Sequence, residues 1–205
     1  MKTICFTGRR PKDLAGFKYQ SYSSFLDDLT TYLDSLYQKG VRNFISGGAQ
    51  GFDQLAFWSV NRLQEKYDDI NNVVYVPFPG QESVWSTRSD DFFSQFKYRE
   101  MLSKADNVRF ISEQRPFDRW SAAKLLDDRN KAMIDDADFV VALYPYDDWK
   151  SIGKGGTCNA MRYAYNKRKI IYQIKFKLTS ILTFSDVIKI TPESSSRSKL
   201  FKNLI

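Results

Sequence analysis

Twice in this chain a strand-like apolar run gives way to a glycine cluster and then to a helix-like pattern. Asn43-Phe44-Ile45 leads into Ser46-Gly47-Gly48-Ala49-Gln50-Gly51-Phe52-Asp53, and Phe139-Val140-Val141-Ala142-Leu143 precedes Gly153-Lys154-Gly155-Gly156-Thr157. Glycine admits positive φ and lets another group approach the main chain closely. A helix that begins there offers unpaired N–H groups and a partial positive charge, which suit a phosphate. Two such turns confine the chain to architectures in which strands feed helices, and they point to a phosphorylated, nucleotide-like ligand.

The remaining pattern agrees. Residues 2–7 read as a buried first strand, broken by Gly8-Arg9-Arg10-Pro11. Tyr22, Phe25, Leu26, Leu29, Leu33 and Leu36 recur at three- and four-residue steps, predicting a helix that ends near Gly40. Residues 42–45 give a second strand, and Phe52, Leu55, Ala56, Val60 and Leu63 a second helix. Further strands are expected at 72–78, 107–111, 138–144 and 170–174, with helices at about 87–104, 121–137 and from the second cluster through Tyr165.

This alternation predicts a Rossmann-like α/β fold, a doubly wound and mainly parallel sheet with helices on both faces. Ligands on such sheets bind outside the carboxyl ends of the strands, near the point where strand order reverses. Both glycine clusters and the Gly8-Arg9-Arg10 turn follow strands, so all three should gather on that edge. Residues 1–177 read as this domain. Residues 178–205 read as a basic C-terminal extension, docked or partly mobile, with short strands at 178–182 and 187–190. The serines around Arg197 suggest a mobile stretch, while Leu200-Phe201 and Leu204-Ile205 could dock.

Composition narrows the chemistry. The 205 residues contain no histidine, which excludes Ser-His-Asp and Cys-His catalysis and argues against a structural zinc site. Cys5 and Cys158 stand in no paired spacing, and no signal-peptide pattern follows Met1, so a reduced, cytoplasmic protein is expected. No apolar run approaches the roughly 18 residues of a membrane span, so no membrane partner is expected. Neither a metal nor a cofactor is called for. The net charge of +7 resides entirely from Lys167 onward, leaving the body neutral. Any nucleic-acid contact would therefore run through the basic C-terminal segment.

The first cluster resembles the Ser-Gly-Gly-Ala-x-Gly-x-Asp signature of the SLOG superfamily, which takes in Smf/DprA and the plant lonely-guy enzymes. Thr7-Gly8-Arg9-Arg10-Pro11, Asp128-Arg129-Asn130 with Met133, and Gly155-Gly156-Thr157 agree with it in order and spacing. The resemblance covers about residues 1–174, and the chain looks most similar to the YpsA-like or YoqJ-like proteins of bacteria and phages. It implies a Rossmann-like fold that binds nucleotides or nucleotide-derived, ADP-ribose-type molecules, often as a homo-oligomer. Members that resemble cytokinin-activating phosphoribohydrolases use an Arg on the penultimate helix and a Glu three residues after the Gly-Thr of the second turn. Arg129 matches the first, but Ala160 stands where the Glu would be. Nucleoside deoxyribosyltransferases also place a Glu there. Cleaving an N-glycosidic bond needs a carboxylate at the oxocarbenium centre, so binding without turnover, by a sensor or sequestering protein, is the expected function.

No catalytic residue is assigned. The ligand-binding set is Thr7, Gly8, Arg9, Arg10, Ser46, Gly47, Gly48, Ala49, Gly51, Asp53, Arg129, Asn130, Gly155, Gly156 and Thr157. Arg129 shares a stripe with Ala122, Leu126, Met133 and Ala137, so its guanidinium should face the sheet and meet either a ligand phosphate or Asp53 or Asp138. Asp53 falls in a helix's first turn, as a cap or as a ribose acceptor. Lys154 lies between glycines, but without the Walker A spacing. Trp85, Trp120 and Trp149 follow strands, either stacking a base or packing. Two alternatives stay open: an N-glycosidase or phosphoribohydrolase with a relocated acid (Glu82, Asp53 or Asp128), and DprA-like single-stranded DNA binding. Against the second, no basic residue flanks the first cluster.

Overall fold

A computed structural model of the chain describes residues 1–192. Its centre is β1 (Lys2–Gly8), flanked by β2 (Val41–Ser46) and β5 (Phe139–Leu143). With β3 (Asn71–Val76), β4 (Asn107–Phe110), β6 (Ile170–Leu178) and β7 (Leu182–Ile190), they form a seven-stranded sheet of order β4-β3-β2-β1-β5-β6-β7. Every neighbouring pair is parallel except β6–β7, an antiparallel hairpin. The expected Rossmann-like α/β fold is therefore present, and strand order reverses between β1 and β5.

Central strands of such a sheet are covered on both faces, which is why Ile4 to Phe6 and Val140 to Leu143 are apolar and buried without a break. On one face, α1 (Ser23–Tyr37) and α2 (Phe52–Gln64) bring Phe25, Leu29, Phe52 and Val60 against Phe6, Phe44 and Val141. On the other, α4 (Arg119–Asp136) and α5 (Gly156–Asn166) bring Met133, Cys158 and Met161 against Cys5, Ile45 and Val140. The remaining helix, α3 (Gln95–Lys104), packs Tyr98 and Met101 on Val74 and Val76 toward the β4 edge. No helix of the described residues is long and apolar enough to cross a membrane.

Three boundaries differ from expectation. The third helix begins at Gln95, not near residue 87, because Ser94 accepts from the Lys97 N–H at 3.3 Å and caps it. The fourth helix begins earlier than expected, where Asp118 and Ser121 form a reciprocal capping box. The two short strands expected at 178–182 and 187–190 are a correction: residues 179–181 make the hairpin turn between paired Leu178 and Leu182, and one nine-residue strand follows. A register shift at Lys175/Phe176 breaks the period of two that would have revealed it. Phe184 of β7 packs on Phe25 and Tyr32, extending the first core past residue 177. The serine-rich stretch and the Leu200-Phe201 and Leu204-Ile205 pairs lie outside the described residues.

Candidate functional site

The carboxyl ends of β1 and β5 open on a cleft of about 550 Å³ at the reversal of strand order. That volume suits a small ligand, unlike a separate cavity of about 150 Å³ beside Trp58 and Phe92. Four segments build the cleft: the turn after β1, the first glycine cluster with the start of α2, the second glycine turn with the start of α5, and one face of α4.

The turn after β1 is locked to the first glycine cluster. Phe52 N–H donates to the Arg9 carbonyl at 3.1 Å, and a Cβ on Gly51 would lie 2.3 Å from that oxygen. Gly51 also has φ +96°, so α2 can begin there only with glycine. Arg9 leaves this turn with its guanidinium 4.6 Å from the Tyr144 ring centroid and 3.8 Å from Asp13. Arg10 forms no ion pair among the described residues and lines the cleft. Burial pushes its guanidinium below the usual value, nearby Asp53 pulls it up, and Arg129 lowers it again.

Arg129 and Asp53 form the floor. Arg129 is only 3% exposed, on the inward stripe of α4, and its Nη1 donates to Asp53 Oδ2 at 3.1 Å. Of the two carboxylates weighed as its partner, Asp53 is the one found; Asp138 instead accepts from the Thr3 N–H. The Nε of Arg129 is buried without a hydrogen-bond partner. Gly47 makes room for the guanidinium, since a Cβ there would lie 1.3 Å from Nη1. Burial drives the Cys5 thiol pKa far up, and Asp53 adds to the shift, so Cys5 is a packing residue and not a nucleophile.

The second glycine turn supplies the opposite wall. Gly155 has φ +96°, and no side chain caps the N-terminus of α5. The turn is tied down by Arg162, whose Nη1 donates to the carbonyls of Trp149 and Gly153 at 2.6 and 2.9 Å. Lys154, Gly155, Gly156 and Thr157 all line the cleft, and Lys154 forms no ion pair among the described residues. Across from them, α4 contributes Ala123, Leu126, Asp127, Arg129 and Asn130.

Most of the sequence-derived set meets here: Thr7, Gly8, Arg9, Arg10, Ala49, Asp53, Arg129, Asn130, Gly155, Gly156 and Thr157 line the cleft. Ser46, Gly47, Gly48 and Gly51 do not. They lie beneath it, where Gly48 faces Tyr98 and Met101, and Gly47 faces Arg129. None of Trp85, Trp120 and Trp149 lines the cleft. Trp85 packs edge-on against Tyr98, Trp149 is buried against Tyr165, and Trp120 is 83% exposed. Two of the three acids considered for relocation also fall outside: Glu82 lies 3.5 Å from Arg99, and Asp128 pairs with Lys124. The binding set omitted Lys12, Asp13, Ala123, Leu126, Asp127, Lys154 and Asn159, all of which line the cleft. Helical spacing held a signal for some of them, since Ala123, Leu126 and Asp127 lie seven, four and three residues before Asn130.

Comparison with known proteins places the chain in a family. A model of the YspA SLOG family matches residues 4–179. The SPbeta prophage-derived protein YoqJ of Bacillus subtilis is 33% identical over 147 residues, spanning 67% of this chain and 78% of YoqJ. A UPF0398 protein of Halalkalibacterium halodurans is 27% identical over 149 residues, 72% of this chain and 74% of the relative. Another UPF0398 protein, from Bacillus licheniformis, is 26% identical over 146 residues, 70% and 75% of the two chains. The chain belongs to the YspA SLOG family.

Proposed function

We propose that this member of the YspA SLOG family binds a phosphorylated, nucleotide-like ligand, of the ADP-ribose kind, in the cleft and does not cleave it. One observation carries the reading: the uncapped N-terminus of α5 opens on the cleft beside Arg10 and Lys154, two cations without a carboxylate partner among the described residues. Free helix N–H groups and unneutralised cations together suit a phosphate. The buried Arg129, with an unpartnered Nε, adds a further guanidinium at the floor. Such a protein would act as a sensor or a sequestering protein.

Binding without turnover is supported by the state of the acids in the cleft. Asp13, Asp53 and Asp127 are each ion-paired, to Arg9, Arg129 and Lys131. A carboxylate whose charge is already engaged by a cation is less able to stabilise an oxocarbenium centre. For the single-stranded DNA alternative, Lys167 and Lys175 of the basic segment are already paired with Asp135 and Asp147.

Isothermal titration with ADP-ribose, AMP and ribose 5-phosphate tests the proposal. Saturable binding with unchanged ligand is expected, weakened about 10- to 100-fold by Arg10→Ala, the range for a hydrogen bond to a charged group. Absence of heat from all three ligands, or release of free base, would overturn it.

A further inference from the structure

A second cavity of about 400 Å³ runs between α4 and α5 and continues from the cleft. The two share Asp127, Asn130 and Asn159 as lining residues and so adjoin along that line. Beyond that threshold the groove is walled by Ile134 of α4 and by Ala160, Tyr163 and Asn166 of α5. Helical geometry makes this one continuous trough. On α4, Asp127, Asn130 and Ile134 fall on one stripe, and on α5 so do Asn159, Tyr163 and Asn166.

We infer that this groove is a nucleobase subsite, extending from the phosphate position at the start of α5. The inference rests on the phosphate reading above and adds where the rest of the ligand goes. Three features select the chemistry. The amides of Asn130 and Asn166 make no hydrogen bond among the described residues, and each offers the donor and acceptor pair that matches a base edge. Tyr163 supplies an aromatic face in the groove, its hydroxyl held by Asp135 at 2.9 Å. Lys131 and Lys167 lie 5.9 and 5.2 Å from the ring centroid, but both are half-exposed on flexible stems and are paired with Asp127 and Asp135, so a base can displace either.

Ala160 decides whether the trough is open. Its methyl lines the groove and not the cleft, so a longer side chain there would narrow the passage beside Asn159. From Thr157 to Tyr163 the helix rises by about 9 Å, a span that one pentose can bridge between a phosphate and a ring. The tryptophans that sequence reasoning offered as stacking platforms leave the cleft without an aromatic lining residue. Tyr163 is where the connected cavity provides one.

The experiment compares AMP with ribose 5-phosphate by isothermal titration on the full chain and on Tyr163→Ala, Tyr163→Phe and Asn166→Ala. Loss of stacking should weaken AMP at least about tenfold in Tyr163→Ala, leave ribose 5-phosphate unchanged, and spare both ligands in Tyr163→Phe. Asn166 is exposed, so its variant folds irrespective of packing at Tyr163, and a loss of AMP affinity alone is expected there too. If both ligands bind the wild type and AMP affinity is unmoved in Tyr163→Ala and Asn166→Ala, the subsite is overturned and the phosphate site stands. If neither ligand binds the wild type, the phosphate reading falls and takes the subsite with it. If Tyr163→Ala separates a dimer in sedimentation without a ligand-selective loss, the groove is a contact between copies and the proposal is overturned.

Discussion

Replacing Gly47 by alanine places a methyl group where Arg129 lies. The new Cβ would stand 1.3 Å from Arg129 Nη1, 2.3 Å from its Cζ and 2.7 Å from Asp53 Oδ2. Gly47 is not in the left-handed region, so the backbone accepts alanine and the whole cost falls on the guanidinium. Arg129 is 3% exposed, packed on the sheet side of α4, and can yield only toward the cleft. That movement breaks its bond to Asp53 and leaves a buried carboxylate uncompensated. Separating a buried pair costs about 3–5 kcal/mol, and partial hydration of the displaced cation puts Gly47→Ala near about 3 kcal/mol. For a chain of this length that lowers Tm by about 6–12 °C. Circular dichroism melts of Gly47→Ala, Arg129→Ala and the double variant measure it. With the guanidinium gone the methyl has space, so the double variant should melt close to Arg129→Ala, a coupling of about 2 kcal/mol or more. Additive losses, or a Gly47→Ala melt within about 2 °C of wild type, would refute the reasoning.

The second glycine turn gives a paired prediction. Gly155→Ala should cost about 1–3 kcal/mol by urea titration, because φ +96° and ψ 174° form a backbone region that suits glycine alone. Gly156→Ala meets no atom within 4 Å and has ordinary φ, so it should keep or raise stability while its methyl, facing the cleft, weakens AMP and ribose 5-phosphate. A third test uses acid. Asp118 accepts from the Ser121 N–H, which holds its carboxyl below the usual range. Its cap therefore contributes fully above the unfolded value of about 3.9 and is lost as pH falls through the lower folded value. Hydrogen-exchange protection factors in the first turn of α4, corrected for the intrinsic pH dependence of exchange, should fall over that acid interval in wild type and show no such step in Asp118→Ala.

The parallel sheet was legible because its central strands β1 and β5 carry continuous apolar runs, which residues buried on both faces require, and the outer strands follow at the expected spacing. The hairpin was not, since β7 is an edge strand with a one-sided pattern, and an extra residue, Ser185, shifts its own register opposite Lys175 and Phe176. Phe92 looked helical by its spacing from Phe96 and Leu102, yet it joins Phe93 and Tyr22 in an aromatic cluster ahead of α3. At the site, Arg129 was legible because a charged residue on an apolar stripe must find an anion, and its partner Asp53 was among those named. Lys12, Asp127 and Asn159 were not, because on a single helix or turn they look like ordinary solvated residues. Only the convergence of three segments makes them neighbours of one cleft.

The two glycine turns look equivalent in sequence, and their surroundings separate them. Both α2 and α5 start at a glycine of φ +96° with no side-chain cap. In α2 the first turn carries Asp53, a carboxylate already placed to complement the helix end, and Arg129 balances it from α4. That turn holds its anion permanently, and Gly47 and Gly51 serve the packing that keeps it there. The first turn of α5 carries no acidic residue, and Thr157 offers only a hydroxyl. Arg10 and Lys154 line the same cleft and form no ion pair among the described residues. An anion that must arrive and leave belongs where no resident carboxylate competes for the helix end. By that argument the first turn builds the floor, and on the proposed function the second would receive the phosphate. A bound phosphate analogue should therefore shift the amide resonances of Gly156 and Thr157 more than those of Phe52 and Asp53.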